Sequence, residues 1–191
     1  MTNKKYSMIR TDKTTPDGKP LFQIKAKADI AFKVKKGELG GYIEKEENLS
    51  SEGNAWVSGD AQVYGNARVY GNARVYGNAW VYGNAWVYGN AWVSGDAQVY
   101  GNARVYGNAR VYGNAWVYGN AWVYGNAQVY GDAWVYGNAQ VYGDAQVYGD
   151  ARVSVRANIT TSISVELPRI TLDSQKKLDM LLKTLNKLKE A

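Results

Sequence analysis

A six-residue pattern of apolar and polar positions dominates the chain. Over residues 53–154 the sequence Gly-(Asn/Asp)-Ala-X-Val-(Tyr/Ser) occurs 17 times without a gap, and position X holds only Trp, Arg or Gln. Each X-Val-(Tyr/Ser) triplet predicts a three-residue strand whose Val points to one side and whose two neighbours point to the other. The Gly-(Asn/Asp) pair predicts a corner, because both residue types tolerate positive φ, and Ala is small enough to turn inward beside it.

Strands of three residues cannot bury a core alone. Stacked coil on coil at about 4.8 Å, each strand bonds to the copies above and below it, and the valines close into one buried column. The buried residue has to be Val, because Trp, Arg, Gln and Tyr do not fit together in a narrow interior. The repeats therefore predict an all-β solenoid, which we extend over residues 53–165.

Residues 1–52 are predicted to form a small β cap. Strand-like segments at 6–10 and 21–25 flank a Pro16-Asp17-Gly18 turn, which is typical of a hairpin. A cap of this kind protects the strand edges of the first coil. At the other end, residues 155–165 keep a strand-like pattern without the Gly-Asn corner, which predicts an irregular last coil closed by Pro168.

Residues 166–191 are predicted to form an amphipathic α-helix that starts near Thr171. Lysines lie opposite its apolar face, which is the candidate helix interface and consists of Leu178, Leu181, Leu182, Leu185 and Leu188. The coiled-coil spacing lasts for only about two heptads, too short to pair stably without help. Two interpretations remain open: the helix plugs the end of the solenoid, or it joins subunits.

The hexads, such as Val63-Tyr64-Gly65-Asn66-Ala67-Arg68, resemble the hexapeptide repeats of left-handed parallel β-helices. The segment VKKGELGGYIE at residues 34–44 is similar to the amino-terminal module of phage and prophage hexapeptide-repeat proteins, including the YdcK-like, polymer-forming type. The resemblance implies a triangular coil of three hexads and hence a left-handed β-helix between the β cap and the α-helix. It implies no established biochemical role.

A coil of three hexads sorts the X residues into three faces. All seven Trp, together with Arg68, Arg74, Arg104 and Arg110, form the candidate binding surface, because Arg between two indoles can stack on both. The three faces contain Trp56, Arg74, Trp92, Arg110, Gln128 and Gln146; then Gln62, Trp80, Gln98, Trp116, Trp134 and Arg152; then Arg68, Trp86, Arg104, Trp122 and Gln140.

Three interpretations of these outward aromatic columns remain open. The first is structural, since side-chain ladders across neighbouring strands stabilise a thin solenoid. The second is contact with a partner protein or another subunit, because large exposed apolar patches mark contact sites. The third is stacking of sugars or of single-stranded bases on the rings.

Composition removes several chemistries. The chain has no His and no Cys, so it lacks a histidine base, a cysteine nucleophile and a thiolate metal site. Acyltransferases of the left-handed β-helix type generally use a histidine and carry projecting loops, and this chain has neither. Asp132 and Asp150 are predicted to stack at one corner, where a pair of solvated carboxylates is more common than a cation site. We expect no enzymatic activity, no metal and no cofactor.

The repeat zone is electrically neutral. Residues 53–154 carry 5 Arg and 5 Asp, so the net charge of +6 lies in the flanks. A phosphate-tracking charge excess is therefore missing from the largest zone, which argues against nucleic acid. No stretch suits a signal peptide or a membrane span, which predicts a cytoplasmic protein, in the host cell if it is phage-encoded.

Residues 53–88 (copy 1) are identical to residues 89–124 (copy 2). Because every residue there occurs twice, a site that occurs once is not expected inside this segment. The sequence thus predicts a non-enzymatic β-solenoid that acts as a protein-binding or scaffold module, with a phage or host protein as partner, host machinery such as a defence system included. The alternatives are a self-assembling structural protein, joined through the helix or the aromatic faces, and a carbohydrate- or nucleic-acid-binding surface.

Overall fold

The computed structural model describes residues 3–31, 33–154, 158–165, 171–172 and 183. The chain begins with three strands, β1 (Tyr6–Thr14), β2 (Pro20–Ala26) and β3 (Leu39–Ile43), and a 3₁₀ helix follows at Glu46–Asn48. β1 pairs with β2 and β2 with β3, both antiparallel. The predicted hairpin is therefore confirmed, and β3 adds a third strand to the cap.

A parallel β-solenoid of about six turns follows the cap. Each repeat contributes one strand, usually its X and Val residues. The strands are β4 (Trp56–Val57), β5 (Gln62–Val63), β6 (Arg68–Val69), β7 (Arg74–Val75), β8 (Trp80–Val81), β9 (Trp86–Val87), β10 (Trp92–Val93), β11 (Gln98–Val99), β12 (Arg104–Val105), β13 (Arg110–Val111), β14 (Trp116–Val117), β15 (Trp122–Val123), β16 (Gln128–Val129), β17 (Trp134–Val135), β18 (Gln140–Val141), β19 (Gln146–Gly149), β20 (Arg152–Val153), β21 (Asn158–Ile159), β22 (Ile163–Val165) and β23 (Thr171–Leu172).

The strands form three parallel sheets, because every third repeat returns to the same face. One sheet runs β4-β7-β10-β13-β16-β19-β22 and another runs β6-β9-β12-β15-β18-β21. The third runs β5-β8-β11-β14-β17-β20-β23, and beyond β5 it continues into the cap strands β3, β2 and β1. Within the repeats each residue pairs with its equivalent three hexads later, as Trp92 does with Arg110. Cap and solenoid therefore share one continuous sheet.

Backbone hydrogen bonds join each repeat to the one a coil later. In the hexad 65–70, for example, Asn66, Arg68 and Tyr70 donate their N–H groups to the carbonyls of Gly83, Ala85 and Val87, at 2.7, 2.9 and 3.1 Å. The strands are mostly two residues long rather than the predicted three. The third residue, Tyr, lies just past the strand but still donates its N–H, so the predicted three-residue ladder of hydrogen bonds is present.

The interior holds the Val and Ala of every repeat. Each repeat Val from Val57 to Val153 has no exposed surface, and each repeat Ala is at most 1% exposed. The corner glycines have φ between 64° and 73°, where a side chain costs about 1–2 kcal/mol in steric strain. The predicted Val column, inward Ala and glycine corners are all confirmed. Burying a Val contributes about 1.5–3 kcal/mol, so the column is the main stabilising feature of the solenoid.

The cap packs closely onto the first coil. At Gly40 on β3, a Cβ atom would lie 2.5 Å from the carbonyl oxygen of Val57 and 2.8 Å from the Trp56 ring. Only glycine therefore allows this approach. Two buried cap side chains complete the contact: the Tyr6 hydroxyl donates to the carbonyl of Leu49 at 2.7 Å, and Lys5 Nζ donates to the carbonyl of Ser50 at 2.9 Å.

The other end differs from the prediction in one respect. Gln140 still pairs with Asn158, three hexads later in the sequence. The sequence separation of paired residues is smaller between Val147 and Ile163 and larger between Val153 and Leu172. The predicted irregular last coil is therefore confirmed.

Thr171–Leu172, predicted to start a helix, instead pairs with β20 as a strand, so the sheet continues beyond Pro168. Pairing with an open strand edge has overridden a weak helix-start signal. Apart from Lys183, the remainder of the predicted helix, including Leu178, Leu181, Leu182, Leu185 and Leu188, lies outside the described residues.

Candidate binding surface

The X residues stack in the three predicted columns. Trp92 pairs with Arg74 on one side and Arg110 on the other. The other two columns follow the predicted order as well, with Gln98 between Trp80 and Trp116, and Arg104 between Trp86 and Trp122. The assignment of X residues to faces is confirmed from the first repeat to the last.

Arginine and tryptophan make the predicted contacts along these columns. The Arg104 guanidinium lies 5.1 Å from the ring centre of Trp86 and 5.1 Å from that of Trp122. Trp92 has a guanidinium on each side, Arg74 at 5.3 Å and Arg110 at 4.6 Å. These distances fall within the range of cation–π attraction, which contributes about 0.5–1 kcal/mol at an exposed site.

The repeat tyrosines form three further ladders, which we call the tyrosine ladders. Successive rings are nearly parallel, with interplanar angles of at most 9° and centres 4.8–5.1 Å apart. The ladder that contains Tyr76, Tyr112, Tyr130 and Tyr148 is interrupted by Ser58 and Ser94. In an uninterrupted stretch both faces of a ring are covered by its neighbours.

Where the X residue of the next coil is Trp or Gln, the repeat tyrosine contacts it. Where X is Trp, the two rings meet edge to face, as in Tyr70 and Trp86 at 6.2 Å and 77°. Where X is Gln, the phenol hydroxyl donates to the amide oxygen, as in Tyr112 to Gln128 at 3.1 Å. Both kinds of X therefore lock the neighbouring tyrosine in place.

Asparagine side chains form ladders at the corners. The amide nitrogen of Asn102, for example, donates to the amide oxygen of Asn120 at 2.9 Å. Such a ladder ends at an aspartate, because a carboxylate only accepts: Asn114 donates to Asp132 at 2.8 Å. Asp132 and Asp150 line one cleft with Trp134, and within the described residues no group of three or more His, Cys, Asp or Glu fits a metal ion.

The ladders determine which part of each ring faces water. A ring stacked on both sides exposes its edge and its polar atom rather than its face. Burial raises the pKa of Tyr82 and Tyr88, and that of Tyr100 to about 12, because desolvation disfavours the ionised form. The surface is therefore a fixed array of ring edges, hydroxyls, amides and guanidinium groups.

One candidate residue does not belong to this surface. Trp56 is only 3% exposed because β3 covers it, and its Nε1 is buried without a hydrogen-bond partner among the described residues. The other six Trp are half-buried. The sequence placed Trp56 outside with every other X residue, because X alternates with an inward Val. The Gly40-Gly41 pair was the one signal of a close approach by the cap. Sequence reasoning also did not predict the tyrosine contacts with Gln.

The geometry first defines a class: a parallel β-solenoid repeat protein whose coils are held by side-chain ladders. The family model described as the YdcK Beta solenoid repeat matches residues 61–77, 67–83, 79–95, 97–111, 109–125, 127–143 and 145–155. Residues 61–155 thus consist of YdcK-like β-solenoid repeats, as the resemblance of the hexads predicts. A comparison with curated proteins gave no match. In the part of the chain that the structure describes, no helix is long and apolar enough to cross a membrane.

Proposed function

We propose that this protein is a non-enzymatic scaffold that binds a partner protein through the outward columns of its solenoid. The observation that carries the proposal is the fixed array of aromatic and arginine side chains, such as Arg104 held between Trp86 and Trp122. Trp, Tyr and Arg supply most of the binding energy at protein interfaces. Side chains that are already immobilised lose little conformational entropy on binding.

The same geometry argues against ligand stacking as the main role. Sugars and bases stack on the faces of aromatic rings, and within the ladders those faces contact the neighbouring rung. The left-handed sense of the coil, a phage origin, a cytoplasmic location and a host protein as partner are parts of the same proposal. They rest on the family resemblance and on the sequence.

The proposal is tested by changing the six half-buried Trp to Gln together: Trp80, Trp86, Trp92, Trp116, Trp122 and Trp134. Gln occupies X naturally and accepts from tyrosine, as Gln98 does from Tyr82 at 3.3 Å, so we expect the coils to remain folded, which circular dichroism checks. Immobilised wild-type protein and the variant are each used to capture proteins from a bacterial lysate. We expect a protein that the wild type retains and the variant loses, and purified partner then has to bind directly.

A matched variant with Phe at the same six positions keeps a ring at X and is expected to retain part of the binding. Identical captured proteins for the wild type and the Gln variant would contradict the proposal. Light scattering on the same samples identifies self-association: a defined oligomer that the Gln variant loses would assign the columns to a contact between copies instead.

A further inference from the structure

Among the described residues, one face of a tyrosine ring has no neighbouring ring where a ladder ends or where a serine interrupts it, and Tyr70 lies at such an end. Tyr70 is the first rung of its ladder and stacks on Tyr88, with ring centres 4.8 Å apart. On the other side, Leu49 pairs with Val69 and the Ser50 N–H donates to the Val69 carbonyl at 2.9 Å. Tyr70 makes the equivalent bond to Val87. Ser50 therefore occupies the tyrosine position of the preceding rung, and it has no ring.

A cavity of about 410 Å³ lies at this point, lined by Glu47, Ser50, Arg68, Val69, Tyr70 and Trp86. Its size falls within the usual range of ligand pockets, about 300–1,000 Å³. Arg68 and Glu47 are exposed, and they provide a positive and a negative group at the rim. The cavity thus combines an aromatic floor with polar groups on its edge.

Copy 2 contains counterparts of the cavity residues Arg68 and Tyr70, but there the tyrosine ring is covered on both faces. Arg104 and Tyr106 are the counterparts of Arg68 and Tyr70. Tyr106 stacks on Tyr88 and Tyr124, both at 4.9 Å. Identical sequence thus gives an open ring at Tyr70 and a covered ring at Tyr106.

We propose that this cavity is a binding site for an aromatic side chain of the partner protein, which stacks on Tyr70 as the missing rung of the ladder. The occupant is a ring because every rung above it is a ring at 4.8–5.1 Å spacing. Arg68 and Glu47 bind the polar edge of the incoming residue. The inference rests on the proposed function in one respect, that the partner is a protein.

The test uses N-acetyl-tyrosinamide as the probe, with N-acetyl-leucinamide as an aliphatic control and the trimer of N-acetylglucosamine as a saccharide. Saturation-transfer NMR measures each affinity on the full chain, independently of any partner. We expect saturable binding of the aromatic probe on the order of 1 mM, from the size of the probe, and at least about fivefold weaker binding of the other two.

Tyr70→Ala and Arg68→Gln are expected to weaken aromatic-probe binding, the first by about fivefold or more. The matched control for Tyr70→Ala is Tyr106→Ala, which is expected to bind as the wild type does. Any general loss of ladder stability affects both members of this pair, so only the difference within the pair reports on the site.

Three results would overturn the inference: no saturable binding of the aromatic probe, equal losses in the Tyr70 and Tyr106 variants, or preferential binding of the saccharide. These outcomes are distinguishable from failure of the proposed function. Probe binding that depends on Tyr70 keeps the site even if the lysate experiment shows no dependence on the tryptophan columns.

Discussion

Copies 1 and 2 are one sequence in two different surroundings. Their cores are alike: Val69 and Val105 are both fully buried. Their surfaces differ, since Trp56 is 3% exposed under the cap whereas Trp92 lies half-buried between two arginines. Tyr64 is likewise buried, while Tyr100 is half-buried.

The comparison separates what the hexad determines from what its neighbours determine. Strand, corner and buried column follow from the hexad alone, because they recur unchanged in both copies. The exposure of each ring depends on the residues stacked next to it, which for the first coil of copy 1 belong to the cap. The expectation that a duplicated segment holds no single-occurrence site is therefore incomplete: Tyr70 and Tyr106 share a sequence but not an environment.

The largest expected effect tests the part that the copies share. Val69→Asp and Val105→Asp each place a carboxylate in the dry column, and we expect a loss of about 4 kcal/mol or more in the free energy of unfolding. The loss should be the same in both copies within about 1 kcal/mol. Chemical denaturation measures it, with Gln98→Glu on the outer surface as the mild control. A tolerated Asp at either position would contradict the buried column.

The second prediction tests the part that differs. Trp56→Gln removes a buried ring and should cost about 3 kcal/mol or more, whereas Trp92→Gln removes cation–π contacts and should cost about 1 kcal/mol. Thermal and chemical denaturation compare the two. Trp56→Phe keeps most of the ring and eliminates the unpaired N–H group, so it should cost less than Trp56→Gln. Equal costs at Trp56 and Trp92 would show that the cap does not cover the first coil.

Most of the fold follows from the sequence because its period and its chemistry agree. Val occupies every position that alternation turns inward, and Gly occupies every position that needs positive φ, so one arrangement satisfies all repeats. The register of three hexads per coil rests on the family resemblance and is present in the paired residues, as in Trp92 with Arg110. The strand at Thr171–Leu172 was not predictable, because a two-residue strand exists only through its partner, here β20.

The candidate surface was predictable only in part. The columns of X residues follow from the register, and so does the sandwich of Arg104 between two indoles. The burial of Trp56 and the opening beside Tyr70 depend on where the cap crosses the first coil. The cap pairs with the first coil in a different register from the repeats, since Leu49 and its partner Val69 are separated by more than three hexads of sequence. No hexad encodes that register.

The third prediction isolates the backbone contribution at the corners. Gly65 and its counterpart Gly101 have φ of 68° and 70°, and an added Cβ would approach the next glycine nitrogen to 3.2 and 3.0 Å. Ala at either position should cost about 2 kcal/mol. Gly143 has φ of 65° but no atom within 4 Å of such a Cβ, so Gly143→Ala should cost about 1 kcal/mol, the strain alone. Equal costs at all three positions, measured by chemical denaturation, would assign the whole effect to φ.

The smallest effect appears only at alkaline pH and again compares the copies. Burial raises the pKa of Tyr100 to about 12, and it also raises the pKa of Tyr64, which the cap covers more fully. Above pH about 10 the unfolded chain releases its phenol protons while the folded chain retains these two. The unfolded state then binds fewer protons than the folded state, so the free energy of unfolding falls as pH rises.

Tyr64→Phe and Tyr100→Phe should each reduce this fall, because each removes one phenol that ionises late in the folded chain. Tyr64→Phe should have the larger effect, since Tyr64 lies under the cap and Tyr100 does not. Denaturation at a series of pH values measures the slope, and ultraviolet absorbance of tyrosinate follows the ionisation directly. Titration of every tyrosine near pH 10 in the folded protein, or an unchanged slope in both variants, would mean that water reaches the ladder phenols. In that case the cap would not distinguish copy 1 from copy 2 at Tyr64.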